Sequence, residues 1–301
     1  MHKKFAAMLA ILSGVMWGSG GVFIKTLDAF GMDDWTIISS RAVVGVAFLF
    51  LGMFVVDRKL LKVKLKDLWV FVGAGIIGMM GLNLCYNKAL TMVSMSLAAV
   101  LLSMSPIFVL LLGRVLFKES LTKKKILCMA LAFAGCVLTS GMLEGTSGMN
   151  WTYVGIFLGI LSAFFYAWYS IFSKFAAEKN YSGITMTFYS LLVLLIVTAP
   201  ISDWGIFADF MKAAPLKHTI FMFLQSVVTS VFPYILYTFA LKYLEAGMVS
   251  ILSAGAEPSA ATVFGMLFFA EIPTVLSVIG LVVTIVALTL LCAPEKKKVH
   301  T

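Results

Sequence analysis

The apolar positions of this chain neither alternate nor form a narrow stripe. They run on for about twenty residues at a time, the length a helix needs to cross about 30 Å of hydrocarbon. Ten such runs are predicted, at residues 6–26, 34–56, 67–88, 93–113, 124–141, 151–175, 183–203, 216–238, 247–269 and 273–292. Transmembrane barrel strands would alternate instead. Short polar loops separate the runs, so the expected fold is all-α and integral to the membrane, with ten transmembrane helices. The apolar start, after His2, Lys3 and Lys4, continues past Trp17 to Ile24 with no small-residue cleavage site, so it is read as an uncleaved first span.

The pattern repeats once. Pro106 precedes Glu119 by the same interval that separates Pro258 from Glu271, with Gly113 and Gly265 at matching places between them. Trp17 and Lys25 match Tyr166 and Lys174, and Tyr86 to Leu90 matches Tyr237 to Leu241. The chain is therefore expected to divide into repeats at 1–144 and 145–301, the second ending in a basic tail at Lys296, Lys297 and Lys298. Five spans per repeat is an odd number, so the second repeat must enter the bilayer upside down. Inverted repeats with a site near the midplane are the architecture of secondary transporters.

Composition agrees with this picture: 61% of residues are hydrophobic and 12% charged, against about 25% charged in soluble domains. The net charge of +9 does not indicate nucleic acid, because the basic residues lie in short loops. With the N-terminus inside, 17 of the 23 basic residues fall on one side. That bias places both termini in the cytoplasm and the chain in the plasma (inner) membrane. Cys85, Cys128, Cys136 and Cys292 lie in apolar segments without zinc or disulfide spacing. No histidine lies deep in a span, and neither a metal nor a cofactor is called for.

Glu257 stands about ten residues into its span, about 15 Å deep by helix rise. A carboxylate there costs about 2.5–3.5 kcal/mol on insertion scales. It either binds a cationic group or coupling proton in a cavity, or is a buried structural acid. Arg41 lies about 10 Å deep and either holds a substrate carboxylate or pairs with a nearby acid or helix carbonyls. Asn83, Tyr86 and Asn87 share one stretch of span three. Gln225, Thr229, Pro233 and Tyr237 recur every four residues in span eight. Such stripes line a wet cavity or bond neighbouring helices. Trp17, Tyr166, Trp168 and Tyr169 are core packing or an aromatic wall, whereas Trp35, Trp69, Trp151 and Trp204 are placed as interfacial anchors. Gly73, Gly75 and Gly78 form a GxGxxG inside a span, where a nucleotide fingerprint is excluded.

The chain resembles the EamA-type branch of the drug/metabolite transporter superfamily. The resemblance rests on Trp17-Gly18-Ser19 followed by Lys25, on Arg41, on Ser105-Pro106 to Glu119, and on Glu257-Pro258 to Glu271. It implies a ten-helix inverted-repeat carrier working by alternating access. Its cavity would be lined by Trp17, Asn83, Tyr86, Ser103, Tyr166, Tyr169, Gln225, Tyr237 and Glu257. Arg41, Pro106, Glu119, Pro258 and Glu271 are assigned structural or gating roles. Ser105 replaces an acid before its proline, which leaves Glu257 alone. The implied cargo is a small metabolite such as an amino acid, moved outward. Carriage of organic cations in a Glu257 and aromatic cage is the alternative. A membrane enzyme, which would need paired deep carboxylates or histidines, and a channel are remote. The implied partners are the lipid bilayer, a small-molecule substrate, a possible coupling proton and a possible second copy of the chain.

Overall fold

The structure, a computed structural model, describes residues 2–90, 92, 98, 101–139, 143, 152–269 and 275–292. No strand occurs among the described residues. In chain order the helices are α1 His2–Gly18, α2 Gly20–Ala29, α3 Asp34–Val56, α4 Leu68–Gly73 and α5 Gly81–Leu90. They continue with α6 Ser105–Phe117, α7 Lys123–Thr139, α8 Tyr153–Glu178, α9 Gly183–Thr198 and α10 Trp204–Ala213. The last four are α11 Pro215–Ser226, α12 Phe232–Leu241, α13 Ala246–Phe269 and α14 Val275–Cys292. Two π-helical segments, Ala74–Met80 and Val227–Val231, join α4 to α5 and α11 to α12 without leaving the helix axis.

Polar side chains start the helices where the apolar runs begin. Asp33 accepts from the Thr36 N–H, Thr152 from Gly155, Ser182 from Thr185, and Asp203 from Gly205 and Ile206. Each cap satisfies amides that the helix leaves without partners, a contribution of about 1 kcal/mol. Among the described residues, five stretches are long and apolar enough to cross a membrane: Lys3–Ala29, Asp34–Val56, Leu65–Ala89, Tyr153–Glu178 and Pro215–Leu241. Shorter apolar helices join them, so the molecule is an all-helical, multi-pass membrane protein. Its outside is apolar, with Leu51, Val115, Phe157, Ile196 and Leu267 exposed. Its inside holds many small hydroxyls, among them Ser39, Ser162, Ser170, Ser190 and Ser253. That distribution inverts the soluble pattern and suits a lipid surround.

α1 packs on α12 and α13, while α8 packs on α5 and α6. α3 lies against α9, α6 against α13, and α7 against α14. Small residues permit the closest approaches. A Cβ on Gly14 would meet the Ser253 carbonyl and the Ala256 side chain, and one on Gly78 would stand 2.8 Å from the Tyr169 Cβ.

Hydrogen bonds tie the two ends of the bundle separately. At the lysine-rich end, Asp67 accepts from Lys179 (2.6 Å) and from the Tyr181 hydroxyl (2.8 Å). Tyr189 and Thr185 donate there to the carbonyls of Leu61 and Leu60. At the opposite end, Ser202 donates to Ser39 and the Asp203 N–H donates to Thr36. There α10 and the start of α11 close a small second core of Leu27, Met32, Ile37, Phe210 and Met222.

The sequence pattern extended one apolar run to residue 203, whereas α9 stops at Thr198 and α10 follows as a separate helix. Ten residues carrying Asp209 and Lys212 are too short and too polar-faced to register as a span. The first span is also divided, with a turn at Ser19, whose hydroxyl donates to the Met16 carbonyl at 2.6 Å.

Candidate functional site

Five aromatic rings meet where α1, α8 and α12 cross. Trp17 lies 5.9 Å from Tyr166, 5.0 Å from Tyr234 and 5.6 Å from Tyr237, centroid to centroid. Tyr169 closes the group, 4.9 Å from Tyr234, and Tyr166 lies 5.9 Å from Tyr237. Most of these pairs are edge-on, the arrangement that ring quadrupoles favour by about 0.5–1.5 kcal/mol beyond burial. The phenols are held from α8 and α12. Tyr237 and Ser170 share a 2.5 Å hydrogen bond, and Tyr169 and Thr238 a longer one.

Two charges stand beside this cluster. The Arg41 side chain comes from α3 and is 8% exposed. Its Nη2 donates to Asn83 Oδ1, and Asn83 Nδ2 donates in turn to the Met79 carbonyl inside the first π segment at 2.6 Å. Arg41 Nε is buried without an acceptor. Behind it, Ser226 donates to the Arg41 carbonyl at 2.7 Å and fixes α3 against α11. Glu257, on α13, is partly buried and makes no hydrogen bond or ion pair among the described residues. Its carboxylate is in electrostatic reach of Tyr86, Tyr166 and Tyr234. Tyr234 is near both charges. It senses both Arg41 and Glu257, and its hydroxyl reaches the Asn83 amide.

The structure brings Trp17, Tyr166, Tyr169, Tyr237, Asn83, Tyr86 and Glu257 to one region. Gln225 ends α11 just ahead of the second π segment. Its side chain is buried with neither amide atom partnered, while Thr229 donates to its carbonyl at 2.7 Å. Ser103 is partly buried in the turn before α6, and Pro106 is buried in the first turn of α6. A proline there costs nothing, because the first-turn N–H groups lack helical partners in any case. Pro258 is buried inside α13, next to Glu257, and the helix continues through it.

Glu119 sits elsewhere. It accepts from the N–H groups of Ala246 (2.8 Å) and Gly247 (3.3 Å), so it caps the first turn of α13. Glu271, its counterpart in the sequence repeat, lies outside the described residues.

Tyr234 and the two π segments were not singled out from the sequence. An aromatic inside an apolar run reads as core. The available signal was register: Tyr234 stands in the second copy where Asn83 stands in the first, at the same interval that separates Tyr86 from Tyr237.

The profile of the EamA-like transporter family matches residues 4–141 and again residues 153–293. The chain belongs to the EamA-like transporter family. It is a transporter of the drug/metabolite type, and relatives along nearly its whole length are named as transporters or exporters. An uncharacterized transporter, YxxF, of Bacillus subtilis (strain 168) is 23% identical over 99% of this chain and 93% of its own. The pseudopaline exporter CntI of Pseudomonas aeruginosa (strain UCBPP-PA14) is 24% identical over 97% of this chain and 98% of its own. A protein of known crystal structure has the same fold, with a TM-score of 0.74 over 95% of each chain at 14% identity. In this EamA-like transporter the aromatic cluster, Arg41 and Glu257 form the candidate cargo site.

Proposed function

We propose that this protein is a secondary active carrier of small organic metabolites, working by alternating access from two inverted five-span repeats. The observation that carries this reading is a paired break. Spans three and eight each interrupt their α-helix with a π segment, Ala74–Met80 and Val227–Val231. The residues that follow at equivalent places are Asn83, which accepts from Arg41, and Tyr234, which packs on Trp17 and Tyr169. Such π segments mark altered backbone geometry, frequently at functional sites, and inverted-repeat carriers place their cargo near the bilayer midplane at the repeat interface. The packing supports an exchange of halves: α1 on α12 and α13 corresponds to α8 on α5 and α6.

The lysine-rich end faces the cytoplasm on the positive-inside rule, with both termini on that side of the plasma membrane. The cargo class is amino acids and related metabolites, and the direction is outward. The pseudopaline exporter, matched over nearly its full length, supports outward movement of a metabolite. Glu257 is the group assigned to a coupling proton, since no fixed cation among the described residues holds its charge.

The test is counterflow in proteoliposomes with labelled amino acids and quaternary amines, with and without a pH gradient, alongside Glu257→Gln. Saturable exchange, driven by the gradient in the wild type and only passive in Glu257→Gln, is expected. A conductance that does not saturate would replace the carrier by a channel. A pH gradient without effect on the wild type would remove the coupling role. The cation reading rests on the rings around Trp17, which suit a positive group over their faces. Exclusive carriage of quaternary amines, abolished in Glu257→Gln, would make it the better one.

A further inference from the structure

We infer that Arg41 is the anion-binding residue of the cargo site, and that the cargo carries a carboxylate. The inference rests on the carrier reading above and adds to it a charged group the cargo must possess.

The first support is that Arg41 is an exception. Apart from Glu257, the other buried charges described are all answered by the protein. Asp67 has Lys179 and Tyr181, Glu119 has two backbone N–H groups, and Lys125 has the Ser120 carbonyl and Glu245. Arg41 has the amide oxygen of Asn83 and nothing else among the described residues. A guanidinium offers five N–H donors in a rigid fork, matched to two oxygens of one anion. Leaving such a group buried and without a counter-charge costs several kcal/mol, and a bound carboxylate removes that cost.

The second support is that the fork is oriented. Asn83 is itself held to the Met79 carbonyl, and the Arg41 backbone is held by Ser226. The guanidinium is thus held from α5 and the Arg41 backbone from α11, each helix adjoining a π segment. Fixing a binding group before the ligand arrives lowers the ordering cost of association.

The third support is charge balance. Tyr234 is within electrostatic reach of both Arg41 and Glu257, so the site holds one positive and one negative group. Among the described residues no second cation is in reach of Arg41. One guanidinium with no second cation beside it suits a monoanionic carboxylate. A dianionic phosphate would leave charge unmatched and be repelled by Glu257. A purely cationic cargo would meet Arg41 unscreened.

The experiment is counterflow with leucine, leucine methyl ester, leucinol, N-acetylleucine and choline, and with a labelled whole-metabolite extract. It is run on wild type, Arg41→Lys and Arg41→Gln, each checked for monodispersity by size-exclusion chromatography. In the wild type every carried solute is expected to bear a carboxylate, with esterification lowering exchange at least about tenfold. Arg41→Gln is expected to erase the preference for acid over ester, and Arg41→Lys to retain part of it. Loss of that ratio separates recognition from mere instability, which would lower all fluxes together. Carriage of ester, alcohol or choline as well as acid by the wild type would overturn the inference. So would an Arg41→Gln protein that still discriminates. Exchange of extract solutes of which none is an acid would overturn it and leave the carrier reading standing. Absence of any exchange would defeat the carrier reading, and this inference with it.

Discussion

Tyr234 is the residue on which the site's two charges converge, and its ring and its hydroxyl do separable jobs. The ring packs on Trp17 and Tyr169, while the hydroxyl reaches Asn83. Tyr234→Phe keeps the packing and removes only the polar link. We expect a melting temperature close to wild type and a fall in counterflow of about tenfold, the loss of one hydrogen bond to a charged network. Tyr234→Ala removes both and should destabilise the protein by about 3–5 kcal/mol. Melting curves beside transport rates distinguish the two, and a Phe variant with full activity would reduce Tyr234 to a packing residue. The deep charges were legible from the sequence because Glu257 and Arg41 are costly in a membrane wherever they point. What was not legible is what answers them. That Arg41 meets Asn83 and no described acid depends on how α3 docks beside α5, and no local pattern encodes that docking. The same holds for Glu119, read from the sequence as structural or gating, whose partners are two backbone amides 127 and 128 residues away.

At the scale of elements, the two π segments decide which side chains face the site. A π turn carries one more residue than an α turn, so it rotates everything after it. Residues 83–90 and 232–241 owe their facing to that shift. In the second copy Pro233 supplies a cause, since it has no N–H to return to the Thr229 carbonyl and its ring crowds that turn. Pro233→Ala restores the donor. The expected outcome is a protein about 1 kcal/mol more stable that carries cargo several-fold more slowly, measured by thermal melting and counterflow. An unchanged rate would show that the π segment does not need the proline. Glycine acts at a different element contact. Gly14 lets α1 lie against the Ser253 carbonyl, and Ser13 and Ser253 share a hydrogen bond at that crossing. Gly14→Val must push the two helices apart, with an expected loss of about 1–3 kcal/mol and a shorter half-life in detergent. Gly52, which a Cβ would leave without contacts within 4 Å, is the control position and should tolerate the same change. The runs themselves were legible because length and apolarity fix a span. The breaks at Ser19 and in the π segments, and the separate helix α10, were not. The breaks keep the apolar composition of their runs and change only backbone geometry, while α10 falls between two runs and carries Asp209 and Lys212.

For the whole molecule, the lysine-rich end is tied together around the link between α12 and α13. Lys174 donates to the carbonyls of Leu241 (3.0 Å) and Leu244 (3.1 Å), at the C-terminal end of α12. Glu119 takes the first amides of α13, and Lys125 pairs with Glu245 between them. A cation at a helix C-terminus and an anion at a helix N-terminus both follow the helix dipoles, each worth up to about 2 kcal/mol when partly buried. A carrier must release such contacts once per cycle, so their strength sets how often this end opens. Lys174→Met removes the clamp on α12 and keeps the length of the side chain. The prediction is read with Ser253→Cys as reporter, on a background in which Cys85, Cys128, Cys136 and Cys292 are alanine. Ser253 is buried between α1 and α13, so its thiol reacts slowly while this end is closed. In Lys174→Met a membrane-impermeant thiol reagent supplied from the lysine-rich face should label it about tenfold faster, as roughly 1.4 kcal/mol of closure is lost. Labelling from the other face should fall in step, because one population gains what the other gives up. A rise from both faces together would mean loosened packing and no shift between two closed-at-one-end states. No change from either would show that Glu119 and Lys125 hold the end without Lys174.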